Sequence, residues 1–207
     1  VHVLPHLPRL DDAATTPVSR KTFYTPPTAK LIFTAMRLVN NCGLETLLDA
    51  VARLSGYYLW IAGDGAGREA LEHHAHERGV KPRVRFLGWH DELAPFIKAA
   101  DVFVYPARQE DVGDAILEAW EQGAAVIAAD SLGPGLLIKH QENGVLVPVG
   151  DVVSMAEAIK WVCQDSSLAH KLGEAGRAIF AQSYSADKVA PQYIDLLTRL
   201  TTAPATS

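Results

Sequence analysis

The chain has little of what covalent, metal-based or membrane chemistry is usually built from. Two cysteines, Cys42 and Cys163, occur in 207 residues, and they share no spacing motif. That excludes a disulfide-rich scaffold and a four-cysteine zinc site, and makes a reduced, intracellular setting the simplest expectation. No apolar run approaches the about 18 residues of a membrane span. Positive charge is in deficit: 19 Lys and Arg face 24 Asp and Glu, a formal charge of −5 with a pI near 5.9. No broad attraction to nucleic acid or to an anionic surface follows from that balance. A G-x-S-x-G elbow for a serine nucleophile is missing. Residues 36–43 hold no G-x-G-x-x-G turn, which a nicotinamide-dependent enzyme would need after its first strand. There is no low-complexity segment and no internal repeat. The chain starts at Val1 without a basic-then-apolar leader, so the expectation is a processed product or a piece of a longer chain rather than a secretory precursor.

What is present is ordinary globular material. Hydrophobic residues make up 48% and charged residues 21%, enough for one α/β domain with its own core. Residues 1–29 are rich in Pro, Thr and Asp and read as a short edge strand followed by a linker loop. From there strand and helix alternate. Strands are expected at Leu31–Ala35, Tyr57–Ala62, Val84–Leu87, Asp101–Tyr105, Ala125–Ala128 and Val145–Val147. Helices are expected at Leu44–Leu54, Arg68–Arg78, Leu93–Ala100, around Glu118, from about Pro134, and through the tail at 151–164, 166–181 and 185–200. This alternation predicts a doubly wound parallel sheet of Rossmann-like type with a helical tail. Strands that are apolar throughout fit a sheet covered on both faces. Ligands of such sheets bind beyond the carboxyl ends of the strands.

The loops at those ends carry the candidate chemistry. Glu110 follows the strand ending at Tyr105, Gly113 opens the next helix, and Glu118 lies within that helix. Ile116, Leu117 and Trp120 form its core stripe, so Glu118 shares the other side with Asp114 and Gln122. By periodicity alone that side is a solvated face; the functional alternative is a carboxylate accepting two hydrogen bonds from a ribose diol. Gly113 is either a plain helix-start glycine or the point where a phosphate meets the amides of residues 112–115. Arg37, after the first strand, is either a surface charge or a bidentate partner for a diphosphate. Gly63-Asp64-Gly65 is a tight strand-to-helix turn, and Trp89, after Gly88, is either an exposed edge residue or a stacking platform. His73, His74 and His76 share a helix. With no further ligand placed to complete a tetrahedron, a solvated face is the expectation and no metal site is assigned. Cys163 reads as inert core.

Together these residues resemble a known family. The run Glu110-x-x-Gly113-x-x-x-Leu117-Glu118-Ala119-Trp120 is similar to the paired-glutamate signature of retaining GT-B glycosyltransferases of family 4 (group 1). Val1–Pro5, Arg37-Leu38-Val39, Gly43–Leu48, Gly63-Asp64-Gly65, Val84–Trp89, Ala100–Val104, Gly133-Pro134 and Glu142–Pro148 follow in family order. The resemblance is strongest to the bacterial polysaccharide and lipopolysaccharide branch. It implies the C-terminal, donor-binding half of a GT-B fold. Residues 1–29 would be an interdomain-type strand and linker, and residues 30–207 the nucleotide-sugar-binding domain. Glu110 and Arg37 would act catalytically. Met36, Cys42, Gly63, Trp89, His90, Glu110, Asp111, Val112, Gly113, Asp114, Ala115 and Glu118 would border the UDP- or GDP-linked donor. Partners would be the nucleotide-sugar, an acceptor glycan or glycolipid, and an acceptor domain in cis or as a separate subunit. No metal and no nucleic acid would be required. The implied location is cytoplasmic, or peripheral to the inner face of the membrane.

Three positions depart from the family pattern. A lysine is usual where Cys42 stands, a small residue where Met36 stands, and a glutamate where Leu136 stands. Asp114 also places a negative charge beside the expected diphosphate amides. These departures keep a second expectation open, a degenerate domain of the same fold that binds nucleotide weakly or pairs with another subunit.

Overall fold

The computed structural model describes residues 15–108 and 113–202. The expected strand at Val1–Pro5 and the candidates Glu110, Asp111 and Val112 lie outside the described residues. Six strands form one sheet: β1 (Lys30–Ala35), β2 (Tyr57–Ala62), β3 (Val84–Gly88), β4 (Val102–Tyr105), β5 (Val126–Ala129) and β6 (Val145–Val147). Every neighbouring pair is parallel, in the order β3-β2-β1-β4-β5-β6. The helices are α1 (Leu44–Ala52), α2 (Arg68–Glu77), α3 (Ala94–Ala99), α4 (Asp114–Glu121), α5 (Leu132–Leu137), α6 (Val152–Gln164), α7 (Ser166–Ser183) and α8 (Ala186–Thr202). The chain builds outward from β1 to β3, then returns to lay β4 against the other side of β1. That reversal opens a crevice between the loops leaving β1 and β4, the usual ligand position in such sheets.

Successive side chains of a strand point to opposite faces, and the two faces here have different characters. Ile32 of β1 joins Leu47, Val51, Leu59, Ile61, Val104 and Ile159 under α1, α2 and α6. Leu31 and Phe33 point the other way, into an aromatic layer with Trp60, Phe96, Phe103 and Trp120. There Phe33 stacks on Phe96 at 5.8 Å between ring centroids, and Phe23 meets Trp60 edge-on at 5.0 Å. All of these strand side chains are buried, which explains why the strands read as continuous apolar runs.

Two expectations change. The short helix expected from about Pro134 begins at Leu132, with Ser131 preceding it. A proline is tolerated in a first turn, where its missing N–H would have had no intrahelical partner, so it marks the inside of this helix and not its start. Residues 15–29 are more than a loop. Arg20–Phe23 forms a 3-10 turn. Arg20 donates to the Ala99 carbonyl from Nε at 2.9 Å and Nη2 at 2.7 Å, and pairs with Asp101 at 3.0 Å. Trp60 Nε1 donates to Thr25 Oγ1 at 2.9 Å in a buried contact. The segment is therefore strapped to the sheet. Among the described residues no helix is long and apolar enough to cross a membrane.

Candidate functional site

A cleft of about 300 Å³ opens over the carboxyl ends of β1, β2 and β4. Its lining comes from the ends of three strands, the loops after them and one helix. The β1–α1 loop contributes Met36 and Arg37, the end of β2 Gly63, the β3–α3 loop Trp89 and His90, and α4 Asp114, Ala115 and Glu118. The volume is at the small end of the range for ligand sites. Eight of the residues singled out in the sequence thus share one cavity.

Backbone packing sets the floor. Gly63 has φ 124°, and a β-carbon there would lie 2.0 Å from the Met36 carbonyl oxygen. Only a residue without a side chain lets the β2 loop lie directly on the β1 loop. Leu38 N donates to Asp64 O at 3.0 Å and Gly67 N to Leu38 O at 2.8 Å, which locks the two loops together. The glycine run after β2 therefore has a packing task that needs no ligand. Met36 is half-buried and rests on both core layers at the tip of β1. It narrows the cleft without filling it. Arg37 is exposed, and its side chain makes no hydrogen bond or ion pair among the described residues.

Helix α4 forms a second wall. Its amphipathic pattern buries Ile116, Leu117, Ala119 and Trp120. Trp120 anchors it: the indole Nε1 donates to Asn143 O at 3.1 Å, and the ring packs at Gly176 of α7. With that side fixed, Asp114, Ala115 and Glu118 turn toward the cleft. Glu118 is half-buried, less exposed than a freely solvated helix face would leave it. It lies about one turn into α4, which starts at Asp114. Gly113 precedes the helix with φ 79°, a left-handed conformation that favours glycine, and it is buried against Leu137 and Ile116. Trp89 is 64% exposed, with its Nε1 donating to Asp91 at 3.1 Å, so its ring stands at the rim. His90 packs against Phe96 at 4.4 Å between ring centroids.

Two candidates do not line this cleft. Cys42 is buried in the core layer beneath α1. Burial pushes its thiol above the ordinary range, opposed by the amides of Leu44 and Val39, so it is neutral near pH 7. Gly113 lies under the helix start and not on the cavity surface. Sequence reasoning missed Tyr105 and Leu93, which also line the cleft. Tyr105 is the last residue of β4 and Leu93 immediately precedes α3, so position relative to the strand ends was the available signal. The histidine run has another occupation: His74 Nε2 lies 2.8 Å from Asp49 Oδ1, tying α2 to α1, and Arg78 Nε meets the same oxygen at 2.8 Å.

A family model described as glycosyl transferases group 1 matches residues 17–179. The chain belongs to this family. It is 40% identical over 180 residues to the lipopolysaccharide core biosynthesis glycosyltransferase LpsE of Rhizobium meliloti (strain 1021), across 87% of this chain and 53% of that protein. Sucrose-phosphate synthase from Thermosynechococcus elongatus superposes with a TM-score of 0.84 at 30% identity, over 91% of this chain and 50% of the other. The C-terminal domain of a glycosyl transferase group 1 family protein (LpcC) from Francisella tularensis superposes with a TM-score of 0.69 at 20% identity, over 82% and 95%, a likeness of fold alone. The chain spans about half the length of the curated relatives it matches. The parallel sheet with flanking helices and a helical C-terminal segment is the Rossmann-like architecture of GT-B glycosyltransferases.

Proposed function

We propose that this chain is the donor-binding, C-terminal half of a retaining group 1 glycosyltransferase of family 4. It would move a hexose from a UDP- or GDP-linked donor to a glycan or lipid-linked acceptor in lipopolysaccharide or related polysaccharide assembly. The observation that carries this is the meeting of Arg37, Glu118 and the start of α4 at one cleft in the β1/β4 crevice. The name of its LpsE relative supports the lipopolysaccharide setting.

Glu118 would accept both hydroxyls of the donor ribose, a task a carboxylate performs without having to donate. Arg37 and the amides at the start of α4 would hold the diphosphate and offset its growing charge, without a metal. Trp89 and His90 would border the base, and Glu110 would hold hydroxyls of the donor sugar. In the transfer, the anomeric carbon's bond to the diphosphate breaks. The acceptor oxygen bonds to the same face of that carbon, and its proton passes to the departing phosphate oxygen. Residues 1–29 would lead in from an acceptor-binding domain, and the complete enzyme would work in the cytoplasm or at the inner face of the membrane.

Calorimetry with UDP, GDP and ADP tests the reading. One nucleotide should bind wild type, and Glu118→Ala should lose about 1.5–3 kcal/mol, roughly tenfold or more in affinity. Equal binding by the variant would remove Glu118 from the site. A neutral, buried Cys42 and a cleft narrowed by Met36 favour the second reading, a degenerate domain kept for weak binding or subunit pairing. Binding of none of the three nucleotides would select it.

A further inference from the structure

A neutral thiol at position 42 leaves the β1–α1 loop with Arg37 as its one cation, yet another guanidinium reaches the same corner from β4. Arg108 follows β4 and is half-buried. Its Cγ would lie 3.4 Å from a β-carbon at Gly43, the residue next to Cys42. Its guanidinium rests against Gly150, where a β-carbon would be 3.9 Å from Cζ. Nη2 donates to the neutral Thr46 Oγ1 at 3.0 Å. Nε is buried and has no hydrogen-bond partner, and no carboxylate pairs with Arg108 among the described residues. A desolvated guanidinium N–H without an acceptor is costly, and a cation beside the first turn of α1 faces the positive end of that helix. An anion at this corner would relieve both.

We propose that Arg108 is a donor-binding residue, the second cation on the donor's diphosphate, taking from the β4 side the place that Cys42 leaves empty on the β1 side. This rests on the nucleotide-sugar reading above and deepens it. It makes the loss of charge at position 42 a relocation instead of a degeneration. The phosphate oxygens would accept from the outer edge of the guanidinium and offset the cost of the closed-off Nε, while Nη2 keeps Thr46 as its anchor. Arg37 would serve the same diphosphate from the cleft side. Arg108 is not part of the cleft lining that holds Glu118, Trp89 and His90, so it would meet the diphosphate and neither the base nor the ribose.

The test is calorimetry of the whole chain with whichever of UDP, GDP and ADP binds, set against the matching nucleoside. Arg108→Gln retains a donor for Thr46 but removes the charge, and Arg108→Ala removes both. Each should weaken the nucleoside diphosphate about tenfold or more and leave the nucleoside unchanged. Cys42→Lys should add little to wild type but restore much of the loss in Arg108→Ala, because one cation then replaces the other. Thermal unfolding of each variant reports whether it is folded. If Arg108 is merely a staple between Thr46 and Gly150, Arg108→Gln binds the diphosphate as wild type does, and the inference fails while the nucleotide-sugar reading stands. If Cys42→Lys alone raises affinity about tenfold, the charge was missing and the inference also fails. If no nucleotide binds wild type, both fall together.

Discussion

Replacing Gly63 by alanine puts the strongest strain on the contact that shapes the cleft. The added methyl would lie 2.0 Å from Met36 O and 3.0 Å from Met36 C, so the two loops must separate by more than 1 Å. The backbone at φ 124° is strained for any L side chain. Rare backbone conformations cost about 1–3 kcal/mol, and overpacking a fitted contact costs about 1–3 kcal/mol more. The sum, about 2–6 kcal/mol, is a large share of the about 5–15 kcal/mol that stabilises a typical domain. A control separates the two causes. Gly56 has φ 80° but nothing within 4 Å of its would-be β-carbon, so Gly56→Ala carries backbone strain alone, about 1–2 kcal/mol. Urea unfolding of both variants should show a midpoint drop for Gly63→Ala at least twice that for Gly56→Ala. Equal drops would refute the claim that loop-on-loop contact sets the floor of the site. Because Met36 and Arg37 ride on the displaced loop, Gly63→Ala should also weaken nucleotide binding, whereas Gly56→Ala should not.

The aromatic layer and the thiols give two more expectations. Thr25→Val leaves the Trp60 indole N–H buried without its 2.9 Å partner and should cost about 1–3 kcal/mol in urea unfolding, with the residue 15–29 strap loosening first in hydrogen exchange. Burial pushes the Cys163 thiol up to about 12 and raises that of Cys42. Both should therefore resist iodoacetamide at pH 8 in the folded protein and react fully in denaturant. Labelling of the native chain at the denatured rate would show that these side chains are not buried as described.

The elements were legible because local pattern and burial agree. Tyr57–Ala62 and Val145–Val147 have the boundaries expected from their apolar runs, and most other ends differ by one or two residues. Leu44, Leu47, Leu48 and Val51 read as one helical face because that face is what α1 buries. Periodicity also said that Glu118 lies off the core stripe of α4, but not that this side closes a cleft. That depends on where Trp120 docks, a matter of tertiary packing on α7 and Asn143. The Asp49–His74–Arg78 cluster was illegible for the same reason, since it depends on how α1 and α2 lie against each other. So was the strap, because Arg20 reaches the Ala99 carbonyl, 79 residues away in sequence. Arg108 carries no local sign of its own, because nothing in the sequence marks an arginine after a strand as lacking an acceptor.

Scaffold and charge are separable in this site, and that has a measurable consequence. The strand order places the crevice, and the glycine contact and the Trp120 anchor set its walls. None of these involves an ionised group. The charges are added on loops: Arg37 exposed on one, Arg108 half-buried on another, Asp114 at the head of α4. A sequence can therefore change the charged residues on these loops without disturbing the walls. Stability and binding should then respond to different substitutions. Gly63→Ala should lower both, because it moves the wall and its passengers together. Arg108→Gln should lower diphosphate binding with little change in unfolding midpoint, since its anchor to Thr46 has a replacement donor. Substitutions at distant, independent sites add, whereas those sharing a contact do not. In the double variant the stability losses should be nearly those of Gly63→Ala alone. The binding losses should be less than additive if the displaced β1 loop has already withdrawn Arg37 and the Cys42–Gly43 corner from the diphosphate. Full additivity in binding would mean that the two loops hold the ligand independently, and that Arg108 does not share its anion with the β1 side.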